Sequence, residues 1–92
     1  MADMASNKDL IAPTVHLNGT SKQGLMDGLD KAYVAIHAAM EALAMSAPNG
    51  RDYYVQDGDA LAPALEQHFD RMGRLKSVYD ELADLMTLID EQ

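Results

Sequence analysis

Between Leu61 and Ile89 the chain carries two interlocked series of residues seven apart: Leu61, His68, Leu75, Leu82 and Ile89 in one, and Leu65, Met72, Tyr79 and Met86 in the other. A sustained a/d repeat of this kind specifies a long helix that buries one seam against other helices. Around the seam lie Asp70, Arg71, Arg74, Lys76, Asp80, Glu81 and Asp84, mixed in sign as on outward helix faces. A second apolar series, Leu25, Leu29, Ala32, Ile36, Met40 and Leu43, recurs at spacings of three and four upstream, marking one face of another helix. The far side of that upstream helix is apolar as well. Glu41 is the sole formal charge between Lys31 and Arg51, and Val34, Ala38 and Met45 stand where a solvated face carries Lys or Glu. A helix apolar nearly all round is buried on several sides, and one partner helix covers only one. The expected architecture is all-α: an antiparallel two-helix hairpin with an extended N-terminal arm, assembling into a helical-bundle homo-oligomer, in the simplest case a four-helix bundle.

Turn and capping residues set the expected boundaries. Residues 1–19 read as an arm, interrupted by Pro13 and closed by the turn-forming Asn18-Gly19-Thr20-Ser21; residues 20–92 form the hairpin. The first helix is expected over about 20–47, with Thr20 or Ser21 as N-cap. Gln23 lies three residues past Thr20, the spacing of a capping box. Gly24 and Gly28 weaken the first turns or let another backbone approach closely. Pro48 pushes Ala47 out of the helical region, and Asn49-Gly50 offers left-handed cap positions. A connector over about 48–59 leads to a helix over about 60–90, with Asp57 and Asp59 as caps and Pro63 in the first turn.

Composition narrows the function classes. With 92 residues, one small domain is expected, and a chain this short buries a small fraction of its surface without help from a partner. Fifteen acidic against seven basic side chains give a formal net charge of -8, which opposes binding to a phosphate backbone. No apolar run is long enough to span a bilayer, the first ten residues lack the pattern of an export signal, and cysteine is absent. A cytoplasmic protein that binds neither nucleic acid nor membrane is expected.

Catalytic and metal chemistry find little support. His16, His37 and His68 include no pair at the i, i+4 spacing that offers two imidazoles to one metal, and no Glu-x-x-His occurs. The stretch 57–68, DGDALAPALEQH, lacks the ordered carboxylates of a calcium loop. There is no Gly-rich phosphate loop, no nucleophile elbow and no thiol nucleophile. The expectation is a protein that is not an enzyme, with no catalytic residues, no metal and no cofactor. His68, in a seam position, reads as a core histidine with a hydrogen-bond partner, and the seven methionines read as core filler.

The recognition chemistry sits in two irregular segments, 16–21 (HLNGTS) and 48–54 (PNGRDYY). In a lone hairpin they lie at opposite ends; in an antiparallel oligomer the arm of one subunit meets the connector of another. Such a composite pocket suits a small anionic ring compound. The helix start after Asn18, Thr20 and Ser21 offers free amides, Arg51 can fork onto phosphate, Tyr53 or Tyr54 can stack on a base, and Lys22 adds charge. The competing account has the two tyrosines folded over the open end of the bundle, Arg51 paired with Asp52 or Asp57, and HLNG anchoring the arm.

On the stretches HLNGTS and APNGRDYY (47–54) the chain resembles small helical proteins encoded by bacteriophages and prophages, over most of His16 to Gln92. In size and in its expected helical oligomer it is also similar to phage anti-defence proteins that sequester nucleotide-type immune signals between subunits. That likeness implies a non-enzymatic accessory protein binding a nucleotide-like ligand at inter-subunit pockets, and carries no residue assignments with it. The alternative is a protein-interaction module that inhibits a host protein or takes part in phage assembly.

Overall fold

The computed structural model describes residues 9–56 and 58–92, and among these it is all-helical. Helix α1 spans Lys22–Ala44, a single 3-10 turn covers Gly50–Asp52, and helix α2 spans Leu61–Asp90. The two long helices run antiparallel in one register. Lys22 reaches Asp90, Tyr33 stacks on Tyr79, and Gly50 lies beside Leu61, so each step forward along α1 is matched by an equal step back along α2.

Ser21 is the N-cap of α1, its hydroxyl accepting from the Gly24 amide at 3.0 Å. The expected capping box from Thr20 is not formed. With Ser21 at the cap, Gln23 is one position too early to reach back, and its amide donates to Asp27 at 2.7 Å instead. Gly24 has a steric reason to be glycine: a Cβ there would stand 3.1 Å from both Ser21 Oγ and a Thr20 methyl.

Helix α1 stops at Ala44, three residues before the expected end. The Met45 amide donates to the Glu41 carbonyl and the Ser46 hydroxyl to the Ala42 carbonyl, spending the free oxygens of the last turn before Pro48. Asn49 and Gly50 do not adopt the left-handed cap expected of them. Asn49 is extended (φ -130°), its side chain accepting from the Arg51 amide and donating to Asp52. Among the described residues the one positive φ belongs to Gly58, at 72°. Helix α2 then starts with Ala60 in the cap position and no side-chain cap; Asp59 contributes only a long 3.4 Å contact to the Ala62 amide. Asp57 lies outside the described residues.

The facing stripes are those the repeats mark, with two corrections on α1: Tyr33 takes the place of Ala32, and Met26, off the expected series, is half-buried beside Leu25. On α1 the half-buried row runs through Leu29, Tyr33, Ile36, Met40 and Leu43, and Ala32 points outward. Tyr33 owes its place to Tyr79: the two rings stack at 4.1 Å and 12° in mid-hairpin. On α2 the seam holds the two buried side chains of the described region, His68 and Ile89. The His68 ring meets the Phe69 ring edge-on at 5.6 Å, and no buried side-chain nitrogen or oxygen of the described residues lacks a hydrogen-bond partner.

Residues 1–8 of the expected arm lie outside the described residues; its described part is fastened at the opposite end from the connector. The Gln92 side chain accepts from the Val15 amide at 2.8 Å and donates to the Pro13 carbonyl at 2.7 Å. Lys22 Nζ donates to the backbone oxygens of Asp90 and Gln92, so the first residue of α1 caps the last turn of α2 and complements its dipole.

The molecule measures 61 × 27 × 15 Å. A helix with its side chains is about 10–12 Å across, so the short dimension holds one layer of helices, where domains ordinarily need two. Consequently α1 has no fully buried residue, and Val34 and Met45 are 59% and 89% exposed. No helix of the described residues is long and apolar enough to cross a membrane.

Gly73, in the middle of α2, has open space where a Cβ would stand. Gly73→Ala is therefore expected to stabilise the fold by about 0.5–1 kcal/mol, read as a higher urea midpoint at unchanged slope.

Candidate ligand-binding site at the connector

The 3-10 turn and the approach to α2 enclose an open concavity of about 210 Å³ lined by Gly50, Tyr53, Tyr54, Gly58, Asp59, Ala60 and Leu61. Its shape follows from local sequence. Asn49 holds the turn by accepting from Arg51 N, the amides of Tyr53 and Tyr54 both donate to the Gly50 carbonyl, and Gly58 takes the left-handed conformation that returns the chain to α2. Tyr53 is half-buried; Tyr54 is 79% exposed, with Val55 beside it at 74%.

Of the six residues expected to bind ligand, the structure gathers three here. Tyr53 and Tyr54 line the concavity, and Arg51 lies in the adjoining turn with an exposed side chain. Asn18, Thr20 and Ser21 are exposed at the other end of α1, which at 23 residues is about 34 Å long. One chain does not bring the two groups together. The Lys22 ammonium is held by the backbone oxygens of Asp90 and Gln92, whereas Ser21 Oγ accepts from the Gly24 amide and keeps its O–H to donate.

The electrostatics are local. Asp59 lines the concavity and Asp52 is held by Asn49, so the described connector residues carry one cation, Arg51, against two carboxylates. Phosphate is disfavoured on the Asp59 side and accommodated only toward Arg51. Elsewhere, interaction with the neighbouring Tyr33 phenol raises the Tyr79 phenol above its ordinary value, with burial and the Asp80 charge adding to it. Asp80, hydrogen-bonded to Lys76 at 2.9 Å, raises that ammonium. His37 lies 3.8 Å from a Glu41 carboxylate oxygen and 5.8 Å from the Tyr79 ring, on the open side of the hairpin. Among the described residues no three His, Asp or Glu side chains are grouped as a metal set.

Several residues of the concavity escape sequence reasoning: Gly58, Ala60 and Leu61 line it through backbone placement, which no side-chain pattern announces. Leu17, 98% exposed in the turn before α1, and Val55, 74% exposed, are apolar residues in polar segments that sequence reasoning does not single out.

No protein-family model matches the chain, and comparison with curated proteins and with solved structures finds no match.

Proposed function

We propose that the chain is a non-enzymatic, cytoplasmic accessory protein of the phage type that works as a homo-oligomer and holds a small nucleotide-like ligand where the connector of one subunit meets the arm and α1 start of another. The observation that carries this reading is the single-layer hairpin. It leaves α1 without a fully buried residue and leaves each half of the expected site incomplete within one chain. A self-assembled bundle supplies the missing layer, and an antiparallel one supplies the missing half of the site.

The concavity supports a ring-binding role. About 210 Å³ is below the usual ~300–1,000 Å³ of small-molecule pockets, room for one aromatic ring against Tyr53 and Tyr54. The anionic part of the ligand then lies toward Arg51 and the partner's residues 18–21, away from Asp59. Native mass spectrometry of the protein as purified from bacterial cells, repeated after denaturation, is expected to show an oligomer that releases a nucleotide-sized molecule. In the intact oligomer Arg51→Ala combined with Tyr54→Ala is expected to weaken binding of that molecule by at least about tenfold, the loss of one charge-assisted hydrogen bond and one stacked ring. Unchanged affinity would remove the site assignment.

The same bare α1 face also suits a protein partner, which is the second reading: a module that inhibits a host protein or joins a phage assembly. Its signature in the same spectrum is a bare chain that acquires mass only from another polypeptide.

A further inference from the structure

The uncovered side of α1 has an inner order that bears on how two copies meet. Gly28, Ala32, Ala35, Ala39 and Ala42, all exposed, recur at steps of four and three along one line. This line lies roughly a quarter turn round the helix from the row that meets α2, which is the angle between the two neighbours of a helix in a four-helix bundle. The line is charge-free, in a chain of net charge -8. Two copies can approach here with their carboxylates held away from the contact.

The line runs between two exposed apolar ends. Leu17 stands at the α1 start, 98% exposed, and Tyr54 and Val55 at the connector, 79% and 74% exposed. The helix face alone is too small for a stable pair: about 34 Å by 10 Å, against roughly 800 Å² per partner in a standard interface. The two ends are needed as well, and only an antiparallel pairing brings the unlike ends together. A twofold axis at Ala35, midway along the line, sets Gly28 opposite the second copy's Ala42 and brings residues 17–21 level with its residues 49–53. A parallel pairing sets Leu17 against Leu17 and aligns the helix dipoles unfavourably.

We propose that α1 pairs with α1 of a second copy, antiparallel and centred on Ala35, with Leu17 of each copy covering Val55 of the other. This rests on the self-assembly proposed above and adds its face and its register. Small side chains along the line let the two backbones come within the ~8 Å of close helix packing. The interface then carries the two halves of the ligand site with it, twice per pair.

The absence of cysteine makes the register directly readable. Under mild oxidation Ala35→Cys is expected to form a disulfide-linked dimer about a hundredfold faster than Gly73→Cys on the outer side of α2, because pairing renders the reaction effectively intramolecular. Gly28→Cys alone is expected to stay unlinked, and a mixture of Gly28→Cys with Ala42→Cys to link one to the other. Linking by Gly28→Cys alone, signalling a parallel pair, overturns the proposal. So does an assembled protein, sized by sedimentation, in which Ala35→Cys links no faster than Gly73→Cys; the oligomer then stands on another face. A protein that is monomeric in sedimentation overturns both this register and the self-assembly beneath it.

Discussion

Ile89→Ala is expected to remove about 2–5 kcal/mol of stability, measured as the fall in the urea midpoint at constant slope. Ile89 is fully buried, the one hydrophobic side chain of the described residues to be so, and it sits one residue before Asp90, whose carbonyl receives Lys22. Truncation therefore opens a cavity where α1 starts, α2 ends and the arm is clamped by Gln92, with no adjacent packed layer to collapse into it. Against a total of about 5–14 kcal/mol for a chain of this length, the loss leaves the hairpin near its unfolding threshold. Val78→Ala, at a position 43% exposed, is the matching control and is expected to cost well under half as much. Equal losses at the two positions would mean that the end of the hairpin is not its packed part.

Ala35→Arg is expected to act oppositely, leaving the hairpin folded and abolishing its assembly. Ala35 is exposed within one chain, and arginine is a good helix former, so the circular-dichroism spectrum of the hairpin should hold. In the pair the same position meets its own copy on the twofold axis, so two guanidinium groups would be forced together without carboxylates. Like-charge juxtaposition of this kind costs several kcal/mol, on the order of a hundredfold or more in dissociation constant. Sedimentation velocity should show the variant as monomer at concentrations where the parent is assembled. An Ala35→Arg protein that still assembles would place the contact elsewhere.

How far the sequence discloses this structure differs from element to element. The seam of α2 is legible because burial selects apolar residues and the sevenfold repeat keeps them in line, and Leu61, Leu65, Met72, Leu75 and Ile89 are on it. The α1 row is legible apart from Met26, which joins it, and the position where Tyr33 takes the place expected of Ala32. Tyr33 and Ala32 both fit the spacing of three and four, and only the location of Tyr79 across the hairpin, which is tertiary information, decides between them. Helix ends are the least legible. Ser21 rather than Thr20 caps α1, and Ser46 bonds back to Ala42, because neighbouring hydroxyls compete for the same few backbone groups with small energy differences.

The candidate site divides in the same way. That residues 18–21 and 51–54 occupy opposite ends of a lone hairpin follows from topology, and the structure has them there. That Tyr53 and Tyr54 line a concavity together with Asp59 does not follow from any spacing, since the concavity is made by the return of the backbone at Gly58 and by the start of α2. Lys22 shows the limit most plainly. Beside a turn and a helix start it reads as a ligand cation, yet its ammonium caps the far helix. No local pattern encodes a partner 68 residues away.

The central claim is that the hairpin works as one copy of a self-assembled bundle. Sedimentation velocity of the unmodified chain over a wide range of concentrations tests it most directly. The account predicts a concentration-dependent assembly of at least two copies whose frictional ratio falls as the 15 Å layer is doubled. A single elongated monomer at every concentration would contradict it.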